Sequence, residues 1–118
     1  MIGNELWDVK FAAGSLEDLV EIIQYILENN GVESAKELST LIQADAKKRL
    51  TTLPYRGHLV PELEHIGQEC REIHVKPYRI IYQPLEANRT VWILLIAHVR
   101  RSIQDMLRNR LLHYPANW

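Results

Sequence analysis

The longest apolar run in the sequence is Val91 to Ala97 (Val-Trp-Ile-Leu-Leu-Ile-Ala). A strand that is apolar on both faces must be covered on both faces, so this segment is expected inside a sheet, with other elements packed around it. The run is much shorter than the roughly 18 residues needed for a membrane span. The sequence therefore predicts a globular core built on this strand, and no membrane partner.

Two helices are predicted before this strand, over Ser15–Asn29 and Ser34–Thr51, because apolar residues recur there at helical spacing. Each opens with a serine that is followed three residues later by an acidic residue, Asp18 or Glu37, which is the pattern of a capping box. The link between the helices is short, which favours an antiparallel helical hairpin.

The remaining segments complete an α+β pattern. Strands are predicted from alternation or apolar character, and a closing helix is expected to begin near Ser102. The predicted strands are Glu5–Phe11, Cys70–Val75, Tyr78–Gln83 and Val91–Ala97. Tyr55 to Gln68 is predicted to be an ordered loop with one helical turn near Glu62 and Leu63. The order β-α-α-β-β-β-α predicts helices packed on a small, mainly antiparallel sheet, in a single domain over residues 1–118.

Several classes of chemistry are disfavoured. The single cysteine, Cys70, excludes an internal disulfide, and it is expected to be a buried residue rather than a nucleophile. The five histidines show no metal-ligand spacing along the chain, so no metal and no cofactor are expected. The N-terminus lacks the basic and apolar regions of a signal peptide, which predicts a cytoplasmic protein.

The arginines of the C-terminal half are the strongest candidates for a binding site. Arg71 and Arg79 lie on adjacent predicted strands, and Arg100 and Arg101 follow the apolar strand directly. Because neighbouring strands lie about 4.8 Å apart, these side chains are expected to gather with His98 at one end of the sheet. Clustered guanidinium groups suit phosphate, which they bind through two hydrogen bonds at once.

Strand alternation qualifies this prediction. Ile73 and Val75 share a face that should meet the helices, which leaves Glu72 and His74 on the opposite, open face. An open face beside an arginine cluster is a plausible binding surface. The alternative is that the arginines pair with nearby carboxylates, among them Glu69, Glu72 and Asp105, and are structural.

The chain resembles the RelE/ParE superfamily of bacterial toxins from type II toxin–antitoxin modules, a group that includes plasmid stabilisation proteins. The resemblance covers about Trp7 to Leu112 and rests on the order of several short segments. These are Ala13 with Asp18-Leu19, Pro54-Tyr55-Arg56-Gly57, Val60-Pro61-Glu62-Leu63, Arg71-Glu72-Ile73, Pro77-Tyr78-Arg79-Ile80-Ile81-Tyr82 and His98-Val99-Arg100-Arg101.

The resemblance implies one of two activities. RelE-like members cleave mRNA on the ribosome without a metal, whereas ParE-like members share the fold but inhibit DNA gyrase. Arg79 matches one arginine of the RelE pattern, and Arg100 or Arg101 matches a second. The two lysines of many RelE-like nucleases fall on Glu72 and His74, and their tyrosine falls on a residue that is not tyrosine, which favours the ParE-like activity. The net charge of −1 is also unusual for a ribosome-directed nuclease.

Three functions therefore remain open: a gyrase-inhibiting toxin, a ribosome-dependent endoribonuclease, and a non-toxic protein that retains only antitoxin binding. A cognate antitoxin is the expected partner in each case, and the last helix with Tyr114 and Trp118 could contribute to its binding. The candidate catalytic residues are Arg79, His98 and Arg101, and the candidate phosphate- or partner-binding residues are Arg71, His74 and Arg100.

Overall fold

In the computed structural model, which describes residues 6–66 and 69–113, three helices pack on a five-stranded sheet. The strands are β1 (Asp8–Phe11), β2 (His58–Leu59), β3 (Arg71–Val75), β4 (Tyr78–Leu85) and β5 (Thr90–His98). The helices are α1 (Ala13–Asn30), α2 (Val32–Thr52) and α3 (Ile103–His113), and short 3₁₀ helices span Pro61–Ile66 and Glu86–Asn88.

The sheet confirms the predicted α+β class. Its strand order is β1-β5-β4-β3-β2, and every pairing is antiparallel except that of β1 with β5. The apolar strand β5 lies between β1 and β4, as its apolar faces require. The two-residue strand β2, which periodicity does not predict, pairs with β3 at the opposite edge of the sheet.

The α1–α2 hairpin covers one face of the sheet. Leu19 of α1 and Ile42 and Leu50 of α2 pack in one apolar cluster with Ile73 and Ile80 of the sheet. This arrangement confirms that the alternate residues of β3 that include Ile73 face the helices. The antiparallel helical hairpin predicted from the sequence is therefore the main layer on this side.

The opposite face of the sheet is covered as well, at least in part. Leu63 of the first 3₁₀ helix and Leu107 of α3 belong to a second apolar cluster. It also contains Ile81 of β4, Leu95 of β5 and Cys70, which directly precedes β3. The expectation that this face is open is wrong where β3 carries Glu72, because only 2% of that residue is exposed. The 3₁₀ helix Pro61–Ile66, which carries Glu62 and Leu63, packs over this face and covers Glu72.

The predicted capping boxes do not form. Helix α1 begins at Ala13, and the Ser15 hydroxyl donates to the carbonyl of Ala12 at 2.7 Å rather than capping the first turn. Asp18 is taken by partners outside its own helix, which are described below. Helix α2 begins at Val32 directly after Gly31, whose φ of 92° lies in the left-handed region that glycine adopts without strain.

The last helix packs through Ile103, Met106 and Leu107, which are all buried. These side chains are therefore part of the core, and they are not available for an antitoxin. Tyr114 and Trp118 lie outside the described residues. Within residues 6–66 and 69–113, no helix combines the length and the apolar character that crossing a membrane requires.

Candidate functional site

Arg79 lies at the centre of a group of charged residues on the face of the sheet opposite the hairpin. Its Nε and Nη2 atoms donate to the two carboxylate oxygens of Glu72, at 2.7 and 2.8 Å. Its Nη1 and Nη2 atoms donate to the two oxygens of Glu62, at 2.9 and 3.0 Å. One guanidinium thus forms paired hydrogen bonds with two carboxylates, the geometry in which arginine binds anions most strongly.

Glu72 also contacts two histidines. His74 Nε2 lies 3.0 Å from Glu72 Oε1, and His58 Nε2 lies 3.3 Å from Glu72 Oε2. The sheet register explains the grouping, because His58 is directly opposite Glu72, and His74 is directly opposite Arg79. We call these five residues, His58, Glu62, Glu72, His74 and Arg79, the Glu72 cluster.

The cluster keeps both of its carboxylates ionised. Burial alone would raise the pKa of Glu72, but the hydrogen bonds from Arg79 and His74 outweigh burial and lower it. The hydrogen bonds from Arg79 also lower the pKa of Glu62. The cluster therefore carries one fixed positive charge and two negative charges before either histidine is protonated.

His98 and Arg101 lie on the other face of the sheet. His98 is opposite Tyr78 in the register, and the two rings pack edge to face with centroids 5.6 Å apart. Tyr78 faces the hairpin side, so the next residue, Arg79, must face away from His98. The predicted cluster of Arg79 with His98 and Arg101 does not form, because strand alternation puts a sheet between them.

A cleft of about 410 Å³ lies between α1 and the ends of β4 and β5. It is lined by Asp18, Glu21, Tyr25, Tyr78, His98 and Arg101, among others. The backbone N–H of Arg100 donates to His98 Nδ1 at 3.1 Å, so Nδ1 is an acceptor and neutral His98 carries its proton on Nε2. We call this the His98 cleft.

The other arginines that the sequence proposes for the site differ in their surroundings: Arg71 is held by its neighbours, whereas Arg100 and Arg101 are exposed. Arg71 donates to the carbonyl of Gly57 at 2.8 Å and to Glu69 at 2.9 Å, and it lies over the ring of Tyr55. It is therefore held by its neighbours, in agreement with the structural alternative. Arg100 and Arg101 are exposed. Asp105, the partner suggested for Arg101, pairs instead with Arg108 at 3.8 Å.

A buried ion pair that the sequence did not predict joins the first and last helices. Arg110 of α3 donates to Asp18 of α1 and, at 2.7 Å, to the carbonyl of Leu94. The other oxygen of Asp18 accepts the backbone N–H of Ile96 at 3.0 Å. This contact explains why Asp18 does not cap its helix.

Cys70 lies directly before β3 and is buried, with 2% of it exposed. Burial raises the pKa of its thiol to about 11, so the residue is a thiol at neutral pH. This confirms that Cys70 is a core residue. Sequence reasoning missed Glu62 and His58, which lie in a loop without periodicity and reach the site only through β2 and the 3₁₀ helix.

The comparisons with known proteins agree on one group. The family model for the ParE toxin of the type II toxin–antitoxin system parDE matches residues 9–103. No curated protein matches the sequence at a significant level. The match to the family model spans most of the chain, and the chain therefore belongs to the ParE toxin family of type II toxin–antitoxin systems.

Solved structures show the same fold. A chain of the chromosomal ParDE toxin–antitoxin system of P. aeruginosa superposes with a TM-score of 0.64 at 18% identity, over 80% of this chain and 98% of that one. A chain of a RelBE toxin–antitoxin complex from Mycobacterium tuberculosis gives 0.57 at 19% identity, over 80% and 93%. A variant of the E. coli RelE toxin in the free state gives 0.55 at 12% identity, over 92% and 98%. At these identities the likeness establishes the fold alone.

Proposed function

We propose that this toxin arrests growth by binding DNA gyrase in the cytoplasm and that it does not cleave RNA. The membership of the ParE family supports this proposal. The observation that carries it is the pairing of Arg79 with Glu62 and Glu72. In the RelE-like pattern, the position of Arg79 supplies a positive charge to a reacting phosphate.

The Glu72 cluster is poorly suited to hold a phosphate. A phosphate at Arg79 would have to displace two carboxylates that already use its donors in paired geometry. Glu72 itself occupies a position at which the nuclease pattern has a lysine. Its carboxylate would repel a phosphate there even if the phosphate displaced it from Arg79. Only 14% of the Arg79 side chain is exposed, so little water is available to screen that repulsion.

We also propose that a cognate antitoxin binds the outer surface of the helical hairpin. Leu16, Val20 and Leu27 of α1 are all exposed, although they are large and apolar, and their spacing puts them on one face of the helix. A concentration of such residues on one helix is typical of a protein–protein contact. The ParDE and RelBE structures that share this fold come from toxin–antitoxin systems, which supports a partner of this kind.

The endoribonuclease remains a second candidate because of the His98 cleft. The cleft has a volume of about 410 Å³, and it is lined by the imidazole of His98 and by Arg101, which is exposed. A histidine can act as a general acid or base, and an arginine can stabilise a phosphate. On this reading, catalysis would use His98 and Arg101 without Arg79.

The experiment is controlled expression of the protein in growing bacteria, with growth, a reporter of DNA damage and the integrity of mRNA followed together. The proposal predicts growth arrest with the DNA-damage response and with intact mRNA. Cleaved mRNA without the damage response would establish the ribonuclease instead. Growth without arrest, from folded and abundant protein, would leave only antitoxin binding.

Charge reversal of Arg101 refines the test. Arg101→Glu alters the His98 cleft, and Arg108→Glu alters an exposed arginine of α3 whose side chain is 78% exposed. If the cleft contacts the target, only the first variant loses toxicity while both remain folded. Equal toxicity of the two variants would place the target contact elsewhere.

A further inference from the structure

Three side chains of the Glu72 cluster are arranged like the ligands of a metal ion. His58, Glu72 and His74 each offer one ligand atom, and these atoms all lie within 4.8 Å of one another. The two imidazole nitrogens that face the carboxylate are both Nε2, at 3.3 and 3.0 Å from its oxygens. The two rings pack edge to face, with centroids 5.8 Å apart.

Sheet geometry produces this arrangement. His58 is directly opposite Glu72 across the β2–β3 pair, so the two side chains leave the same face of the sheet. His74 is two residues further along β3, and alternate residues of a strand share a face. Two strands therefore bring three ligands close together, although the spacing of these residues along the sequence gives no metal-binding pattern.

The burial of the three side chains also suits an ion that enters from solvent. The Glu72 side chain is 2% exposed, whereas the side chains of His58 and His74 are 65% and 43% exposed. The carboxylate thus forms the floor of the site, and the imidazoles form its rim. They open onto a shallow depression of about 550 Å³, which Arg49 and Arg56 also line.

We propose that His58, Glu72 and His74 bind one divalent transition-metal ion, with Zn²⁺ as the best match, through the two Nε2 atoms and one Glu72 oxygen. Two imidazoles and one carboxylate are ligands that Zn²⁺ prefers, whereas Mg²⁺ and Ca²⁺ favour oxygen ligands alone. Three protein ligands leave one coordination position for water. The ligand atoms lie within 4.8 Å of one another, so the exposed imidazoles have to move inward to bring both Nε2 atoms to the roughly 2.0 Å that Zn²⁺ requires.

Arg79 and Glu62 have a supporting part in this site. Arg79 fixes the orientation of the Glu72 carboxylate through two hydrogen bonds, and Glu62 offsets the charge of Arg79. A ligating carboxylate that is itself hydrogen-bonded is the usual arrangement around protein metal ions. The two glutamates and Arg79 together carry a net charge of −1, which offsets part of the positive charge that Arg49 and Arg56 bring to the same depression.

Metal binding is expected to hold the short strand β2 on β3. β2 consists of only two residues, His58 and Leu59, at the edge of the sheet. An ion that bridges His58 with two residues of β3 adds a crosslink that the unfolded chain lacks, and it therefore stabilises the fold. This consequence does not depend on which cellular target the toxin has.

The test is titration of the purified, metal-free protein with Zn²⁺, followed by calorimetry and by thermal unfolding. Co²⁺ serves as a spectroscopic substitute, because its absorption reports coordination by nitrogen and oxygen. We expect one ion per chain and a raised midpoint of unfolding. His58→Ala and His74→Ala are each expected to weaken binding by more than about tenfold, a loss that even outer-shell substitutions can cause.

His98→Ala is the matched control, because it removes a histidine that lies on the other face of the sheet. It should bind Zn²⁺ like the wild type. The proposal is overturned if the wild type binds no ion, or if the double variant His58→Ala/His74→Ala is folded and binds Zn²⁺ with unchanged affinity. Both single substitutions are at exposed positions, so they should leave the folded state intact.

Discussion

Arg79 donates two parallel hydrogen bonds to Glu72, from Nε to Oε1 at 2.7 Å and from Nη2 to Oε2 at 2.8 Å. Glu72 is almost fully buried, so this pair has little contact with water. Removing one partner of such a pair leaves the other charged and desolvated. The pair is therefore a structural element of the sheet, and its disruption should affect folding before it affects any target.

Replacing Glu72 with glutamine tests this role. Glu72→Gln keeps the size of the side chain but presents an amide to the guanidinium, and it should lower the free energy of unfolding by about 1.5 to 3 kcal/mol. Urea denaturation measures the change. Glu64→Gln, an exposed residue of the same 3₁₀ helix as Glu62, should shift it by no more than about 0.5 kcal/mol. Equal changes in the free energy of unfolding for the two substitutions would show that the buried pair of Arg79 and Glu72 does not stabilise the fold.

The pH dependence of stability follows from the same cluster. The pKa of Glu72 and that of Glu62 are both lowered in the folded protein, Glu72 against the effect of burial and Glu62 by its hydrogen bonds from Arg79. A carboxyl group with a lowered folded-state pKa stabilises the fold above its unfolded pKa, here the ordinary glutamate value of 4.5. That stabilisation is lost as the pH falls through the folded-state values.

The double variant Glu62→Gln/Glu72→Gln should therefore show a smaller loss of stability between neutral and acidic pH than the wild type shows. Denaturation curves at a series of pH values measure this difference. Asp18 contributes with the opposite sign in both proteins, because burial raises its pKa, and so it cancels in the comparison. Parallel profiles for the two proteins would contradict the assignment.

The ion pair between Asp18 and Arg110 gives a second prediction about stability. Arg110→Ala leaves the buried Asp18 carboxylate and the Leu94 carbonyl without this donor. It should lower the free energy of unfolding by about 3 to 5 kcal/mol near neutral pH. Arg108→Ala, at an exposed position of the same helix, is the control.

The deficit of Arg110→Ala should shrink as the pH falls. Burial already raises the pKa of Asp18, and removing the hydrogen bond from Arg110 raises it further. Protonation then removes the buried charge at a higher pH than in the wild type. Unfolding measured at about pH 7 and about pH 5 distinguishes this result from a loss that is independent of pH.

The secondary structure could largely be predicted from the sequence, because apolar periodicity reports burial directly. The helical hairpin and the strands that contain Ile73, Ile80 and Ile93 follow from it, with ends shifted by a few residues. The helix caps could not be predicted in this way. Asp18 has the spacing of a cap, but Arg110, which is distant in sequence, is the stronger partner in the folded chain.

The site was harder to predict, because it depends on strand register. The prediction placed Arg79 and His98 at the same end of the sheet but did not assign them to opposite faces, which requires knowing that Tyr78 pairs with His98. Glu62 and His58 contribute through a loop and a two-residue strand, and neither carries a periodic signal. Side-chain chemistry alone could not show that Arg79 is already paired.

Cys70 provides a test of the core on the covered face. Burial raises the pKa of its thiol to about 11, so the native protein should react very slowly with a maleimide at neutral pH. The same reagent should label the unfolded protein rapidly in urea. Rapid labelling of the native protein would contradict the packing of Cys70 in one apolar cluster with Leu63 and Leu107.

The central claim is that this toxin acts by binding gyrase and has no ribonuclease activity. The most direct measurement adds the purified protein to DNA gyrase with relaxed plasmid, and in parallel to ribosomes that carry an mRNA. We predict that supercoiling stops, with accumulation of gyrase-cleaved DNA, at protein concentrations that leave the mRNA intact. Cleavage of the ribosome-bound mRNA, with gyrase fully active at the same concentration, would contradict the claim.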